Sequence, residues 1–495
     1  MKKTTLIFLA TIMHVVVYAQ ELFKTSEAID KTTSITLAQI IDPGFEDYVL
    51  YRVAEGATMV SQKKYFLKVD RTSLEVKEII QLEKNKSIKL KKSYQELIAG
   101  PKCIYLTGYS EDKVEKTIDF YCSKLDDTFD NTKPPVKLFT GPIPKASGSV
   151  ALCENTSLKL NFGGNIMFLQ NETKDLITIK YTERLKRGKQ KIDVYHCRVF
   201  DSNFKELYKT TCEERAGMRL DNFSYFHFDY LAWSDGVISV DPQDKFTLKI
   251  MNVKKTSEHS IALKNDKMHN IEAVKNMGNG KMIVCGAYLS AEKRHEEGVF
   301  RAEIDLKTNK LLSYERQEMT QIKKHNNPRV ADSFISDEGN VYFLSCFTLL
   351  GIGQNYAVYF ISNTGEVWSK HVPIPVQNVA VAGYLQTIKQ RVFLKDNNLC
   401  ILYNDHKKSQ EIEPNSFVMG EKIGSINLQK PSGLISMLKI DNKGELKRKS
   451  FKIETGEFIT GFSSNDGYNL YSPSRKVSGI SYSKSRVIKF DFSKF

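Results

Sequence analysis

Tryptophan is nearly absent: the 495 residues hold two, Trp233 and Trp368. A propeller repeat marked by a Trp in every unit is thereby excluded. After the first 17 residues no apolar run approaches the roughly 18 needed to span a bilayer as a helix. No C-x-x-C pair occurs, so zinc has no sequence-level site. No Pro/Ser/Gly-rich linker or low-complexity block divides the chain, which argues against a string of β-sandwiches. Catalytic signatures are missing too. His295-Glu-Glu-Gly-Val lacks the second His of a zinc helix. Gly461-Phe-Ser-Ser-Asn and Gly479-Ile-Ser-Tyr-Ser lack the second Gly of a nucleophile elbow. No Gly-rich phosphate loop and no EF-hand loop is found. The sequence therefore nominates no catalytic residue, no cofactor and no metal site. Tyr225-Phe-His-Phe-Asp-Tyr sets His227 and Asp229 on one strand face, where a hydrogen-bonded pair is the expected role.

What the chain has is one recurring unit, an apolar run, a turn carrying Asp, Asn or Gly, and a second run. It reads Tyr65-Phe-Leu-Lys-Val-Asp-Arg-Thr-Ser-Leu-Glu-Val, then Phe300-Arg-Ala-Glu-Ile-Asp-Leu-Lys-Thr-Asn-Lys-Leu. It returns as Val358-Tyr-Phe-Ile-Ser-Asn-Thr-Gly-Glu-Val-Trp and Met437-Leu-Lys-Ile-Asp-Asn-Lys-Gly-Glu-Leu. Ahead of each unit stands a β-branched or aromatic run, such as Cys103-Ile-Tyr-Leu-Thr-Gly-Tyr, Met282-Ile-Val-Cys-Gly-Ala-Tyr or Leu399-Cys-Ile-Leu-Tyr. These runs often leave a tight turn, Asn276-Met-Gly-Asn-Gly-Lys or Asp337-Glu-Gly-Asn, of the kind that supplies positive φ to hairpins. Four antiparallel strands per unit make the blade of a propeller. Third strands are expected near Phe66, Phe120, Val194, Leu248, Ala302, Tyr359, Leu438 and Ile488. The fold class is thus all-β, a single propeller over 20–495 with about seven or eight four-stranded blades. The weakest unit is 245–263, which shows no clear turn. The chain ends in a strand, Arg486-Val-Ile-Lys-Phe-Asp-Phe, so N-terminal residues should complete the last blade, with Ile35 to Ile41 as candidates. Ser26 to Ile41 is also the nearest thing to a helical period.

Residues 1–19 read as a signal peptide. Lys2 and Lys3 precede the apolar stretch Leu6 to Val17, and Val17-Tyr18-Ala19 offers a cleavage site before Gln20. Export to a periplasmic or extracellular location is the expectation. The formal net charge of +14 falls to +12 once Lys2 and Lys3 leave. Such a balance favours an acidic partner, protein or polysaccharide, and export makes nucleic acid an improbable one. Basic residues concentrate at Lys84 to Lys92 and at Lys180 to Lys191, the second resembling the tip of a long hairpin. Of the eight cysteines, Cys285, Cys346 and Cys400 sit within strands, where Cys behaves as a small core hydrophobe. Cys103 and Cys122 flank a turn centred near Asp112 and Lys113. Folding about that centre would set them opposite each other, within disulfide reach.

One unit resembles a known family. Ile361-Ser-Asn-Thr-Gly-Glu-Val-Trp368 is similar to the Thr-Gly-to-Trp turn of the pyrroloquinoline-quinone-type propeller repeat. The resemblance implies that Trp368 packs between neighbouring blades, and it carries no implication of quinone chemistry. The reading that results is an exported, non-enzymatic propeller acting as a binding or scaffolding module. The alternative is a carbohydrate-active or other hydrolytic propeller, which would need two or more carboxylates meeting in the central channel.

Overall fold

The computed structural model describes residues 23–27, 35–55, 63–80, 95–112, 114–129, 134–143, 160–162, 166–170, 174–215, 231–233, 236–240, 246–252, 257–263, 266–289, 296–320, 328–349, 352–378, 390–418, 423, 425–427, 432–455, 457–459, 464–465, 469–478 and 481–491. Six four-stranded and two five-stranded antiparallel sheets follow one another along the chain. We number them as blades 1 to 8. Blade 1 is Ile35–Ile41, Tyr48–Glu55, Lys63–Asp70 and Val76–Ile80, laid side by side in that order. Blades 2 to 7 cover 95–142, 160–215, 231–262, 268–318, 328–371 and 391–452. Blade 8 is built from 457–491 and takes its outermost strand, Phe23–Thr25, from the other end of the chain. In seven of the eight sheets the third strand falls where the repeat predicts it, including Leu248 in the unit without a clear turn, whereas in five-stranded blade 3 an extra inner strand makes the strand of Val194 the fourth.

The second strands show why these runs are so apolar. Lys281–Leu289 is buried at every position after its first, because both faces of a middle strand meet a neighbouring blade. Outer strands meet solvent, and Val76–Ile80 is almost wholly exposed. Gly286 belongs to such a middle strand, and a Cβ there would overlap the Asn270 carbonyl beside the bulge at Ile271 to Ala273.

Eight apolar clusters fill the gaps, and each is shared by two consecutive sheets. Leu50 and Phe66 meet Ile104 and Leu106 between blades 1 and 2. Phe120 meets Tyr181 and Phe200 between blades 2 and 3. Cys197 and Val199 face Met251, Leu248 and Ile250 face Ile271, and Val299 faces Phe343 across the next three gaps. Val358 and Phe360 meet Leu399 and Leu438, and Met437 meets Ile459 and Phe490. The last cluster joins Val487 of blade 8 to Val49 and Tyr51 of blade 1. The sheets therefore form a closed ring, each apolar side chain in a gap contributing about 1.5–3 kcal/mol of burial.

One expectation is corrected. Ile35–Ile41 is an extended strand. It is also the first strand of blade 1, so it does not complete the last blade. Phe23–Thr25 does that, pairing with Ile488 to Phe490. Ser26 adds a backbone bond to the Val487 carbonyl and accepts the Val487 N–H on its hydroxyl.

The meander gives the ring two unlike ends. At one end the connections are tight: residues 42–47, 101–102, 277–280, 336–340 and 396–397, the longest being 126–135. The turn before each outer strand recurs there. Asp70, Asp126, Asp201, Asp305 and Asp441 each accept backbone N–H groups two to four residues on, and Ser362 does so in blade 6. This is the physical content of the repeated Asp: a short carboxylate that closes its own turn. At the other end the connections include residues 81–94, 143–159, 216–230, 372–390 and 405–433.

Candidate interaction face

At the tight-turn end, polar groups are engaged in holding blades to one another. The Lys102 N–H donates to the Pro43 carbonyl at 2.8 Å, and the Lys174 ammonium reaches the Asp42 carbonyl at 3.0 Å. Lys275 pairs with Asp337 at 2.6 Å. The Asp337 N–H donates to the Asn397 side chain at 3.1 Å, and the Tyr342 hydroxyl donates to the Asn397 carbonyl at 2.9 Å. Arg301 is the extreme case, 1% exposed. Its guanidinium donates to the Gly339 carbonyl of blade 6 and to Glu303 and Glu315 of its own blade. Burial pushes the Glu303 carboxyl up, but the bonds from Lys281 and Arg301 outweigh it and hold Glu303 below its ordinary range.

Trp368 lies in the outer strand of blade 6. Its ring stacks on Phe360 with centroids 4.9 Å apart, and its Nε1–H donates to the Asn442 carbonyl of blade 7 at 2.9 Å. A Cβ added to Gly444 would lie 3.3 Å from the indole, so the turn of blade 7 closes over the ring.

Cys103 and Cys122 are not opposite each other. Asp112 pairs with Thr117, which puts the turn at 113–116 and Thr107 across from Cys122. Both are free, buried thiols within one cluster. Cys285, Cys346 and Cys400 are free and buried as well. Burial pushes the Cys400 thiol up to about 12. His227 and Asp229, residues 1–19 and Lys84 to Lys92 lie outside the described residues.

Buried polar groups also gather on the inner strands of blades 6 and 7. Asp332, Gln390 and Arg391 are buried there. The Tyr356 hydroxyl donates to Gln390 at 3.2 Å, and burial pushes this phenol well above its ordinary range. Two buried carboxylates occupy inner strands among the described residues, Asp332 in blade 6 and Glu457 in blade 8. In the order of the ring the inner strand of blade 7 lies between theirs. Among the described residues no group of three His, Cys, Asp or Glu side chains could hold a metal ion. No helix there is long and apolar enough to cross a membrane.

The long-connection end carries two built features. In blade 7 the chain leaves Asn404, forms the one-turn helix Lys407–Gln410, and returns at Leu434. Buried Asp405 anchors this insertion by accepting the Ser409 and Ser436 hydroxyls and the His406 N–H. Arg448 donates to the carbonyls of Ser409, Gln410 and Ile412. Farther on, Ser425–Asn427 pairs in parallel with Val376–Asn378 of the preceding connection.

The second feature is the blade 3 hairpin. Leu176–Arg187 and Gln190–Asp201 pair without a break, which bears out the long hairpin read from Lys180 to Lys191. Its base is an aromatic stack, Tyr181 on His196 at 4.3 Å and 1°. Its tip is basic. Arg184 and Arg187 are held by Asp193 and Glu213. Lys186, Lys189 and Lys191 are exposed and make no ion pair among the described residues. Sequence reasoning found the basic run but not its register, which sets Lys186 directly across from Lys191. It also missed Arg301 and Asp405, whose roles depend on partners distant in the chain.

No protein-family model matches the chain, and no curated protein matches it. Solved structures do. The chain is similar to the WD40 domain of SCAP from fission yeast, at 10% identity and a TM-score of 0.36, over 96% of this chain and 97% of that one. It is similar to a protein of unknown function from Dyadobacter fermentans, at 10% identity and 0.33, over 81% and 94%. It is also similar to the β-propeller domain of Cps50 (Swd1) from Myceliophthora thermophila, at 9% identity and 0.29, over 68% and 96%. Likeness at this level carries no functional argument, and the propeller assignment rests on the sheet order and the eight shared clusters.

Proposed function

We propose that this chain is an exported, non-enzymatic binding or scaffolding module that receives a partner on the long-connection face of its ring. The observation that carries the reading is the asymmetry of the two ends. The tight-turn end is occupied by Asx turns and bonds between blades, whereas the other end presents the long connections, the anchored insertion of blade 7 and the basic hairpin. A rigid scaffold that displays long loops on one side is how fixed folds acquire binding sites. The basic composition supports an acidic partner, protein or polysaccharide. The Lys-Lys, apolar and Val-Tyr-Ala pattern at the N-terminus supports export to a periplasmic or extracellular location.

Site-specific photo-cross-linking tests the face. A benzophenone side chain is placed at Lys189 or, in a separate protein, at Lys443, both exposed and on opposite ends. Cross-linking in the producing cells should give a recurrent adduct from position 189 and none from position 443. Adducts from 443 alone, or from neither position, would overturn the assignment. The mass of the exported chain should begin near Gln20, and retention of Met1 to Ala19 would remove the export reading.

A further inference from the structure

The blade 3 hairpin has a free edge. The inner strand Ile166–Gln170 pairs with Ile177 to Tyr181 and stops there. The hairpin continues for Thr182 to Arg187, paired on its other side with Ile192 to Tyr195 and beyond. Six residues of strand extend about 20 Å. Among the described residues no strand pairs with the inner side of this stretch. An open edge exposes backbone donors and acceptors that can accept an added strand.

The two faces of this edge differ. Lys186 and Lys191 share one face directly across from each other, an arrangement that repels when nothing lies between the ammonium groups. Arg184 is on the same face but is already engaged twice by Asp193, at 2.6 and 2.9 Å. The other face bears Leu185 across from Ile192, both half-buried. Lysines on an edge discourage pairing with another basic or neutral strand, including a second copy of this chain. They do not discourage an acidic one.

We propose that the Thr182–Arg187 edge is a docking strand for an extended, acidic segment of a protein partner, taken up by strand addition. Alternate carboxylates of the segment lie on the face of Lys186 and Lys191, and alternate apolar side chains lie on the face of Leu185 and Ile192. This deepens the binding-module reading and rests on it, naming the chemistry of the partner at one point of the same face.

The probe is a fluorescein-labelled peptide of Glu-Val repeats, titrated with the full chain in low-salt buffer and followed by anisotropy. Saturable binding is expected, with protection of the Thr182–Arg187 amides from hydrogen exchange. The K186E/K191E variant, whose changes sit on an exposed tip, should bind about tenfold more weakly or worse at an unchanged melting temperature. An all-Glu peptide of the same length should bind less well, since it lacks the apolar face. Absence of saturation, equal binding by the variant, equal binding of the all-Glu peptide, or protection elsewhere would each overturn the proposal. If the peptide fails while cross-linking at Lys189 still yields a partner, this inference falls and the face assignment stands.

Discussion

Trp368 joins two blades through one side chain, by a stack on Phe360 and an indole bond to the Asn442 carbonyl. Trp368→Ala removes both and leaves a gap against Gly444, so a loss of about 2–3 kcal/mol is expected. Chemical denaturation of the single variant checks this, and a change within about 0.5 kcal/mol would mean the indole behaves as a surface aromatic. The cysteines give a second test. Cys103, Cys122, Cys197, Cys285, Cys346 and Cys400 are buried and free, and burial pushes their thiols up where a shift is resolved. All six should resist alkylation in the folded protein and react in denaturant without reductant, as peptide mapping would show. Labelling of Cys103 and Cys122 only after reductant would mean that they are bridged.

The turn is the element that the sequence expresses most clearly, because its chemistry is local. The Asp441 carboxylate accepts the N–H groups of Lys443 and Glu445, each at 2.9 Å. Asp441→Ala should cost about 1–2 kcal/mol, and Asp441→Asn less, because the accepting oxygen remains. Equal losses in thermal denaturation would mean that the turn is held by something other than this acceptor. The same locality explains what could be read in advance. The repeat strands from Phe66 to Ile488 were legible because all but that of Leu248 are followed by such a turn or by the chain end. The Cys103–Cys122 pairing was not, since a turn at 113–116 in place of Asp112 and Lys113 shifts the register by four residues. The site was less legible still. The basic run of the hairpin stands out in sequence, but the free edge depends on where Ile166–Gln170 stops, which no pattern within the hairpin reveals. Arg301 looks like any strand arginine until the turn at Gly339 closes over it.

On the scale of the whole molecule, carboxylates paired within several blades add to the stability of the ring, so acid should loosen it. Bonds from Lys77 and from backbone N–H groups hold Asp70 well below its ordinary range. Asp119 is pushed up by burial, but Lys137 and Thr140 more than offset this, and Glu303 behaves likewise through Lys281 and Arg301. Each binds its proton more weakly folded than unfolded. Their stabilisation is therefore present above the ordinary carboxylate range near about 4 and is lost as pH falls through and below it. The melting temperature should hold between about pH 7 and 5 and drop by pH 3, and a flat profile across that window would contradict these linkages.

Ring closure underlies the account, because the division into two faces assumes that every sheet, the eighth included, runs from axis to rim. Phe23–Thr25 supplies the rim strand of blade 8, and Lys24 and Lys489 tie that blade to the Thr72 and Arg71 carbonyls of blade 1. The most direct measurement compares the denaturation of a chain starting at Gln20 with one starting at residue 28. The longer chain should unfold in one cooperative transition. The shorter should lose on the order of 3 kcal/mol, about one for each residue pair of the missing strand, with faster hydrogen exchange at Ile488 to Phe490. Identical midpoints and identical exchange in the two chains would contradict the closed ring.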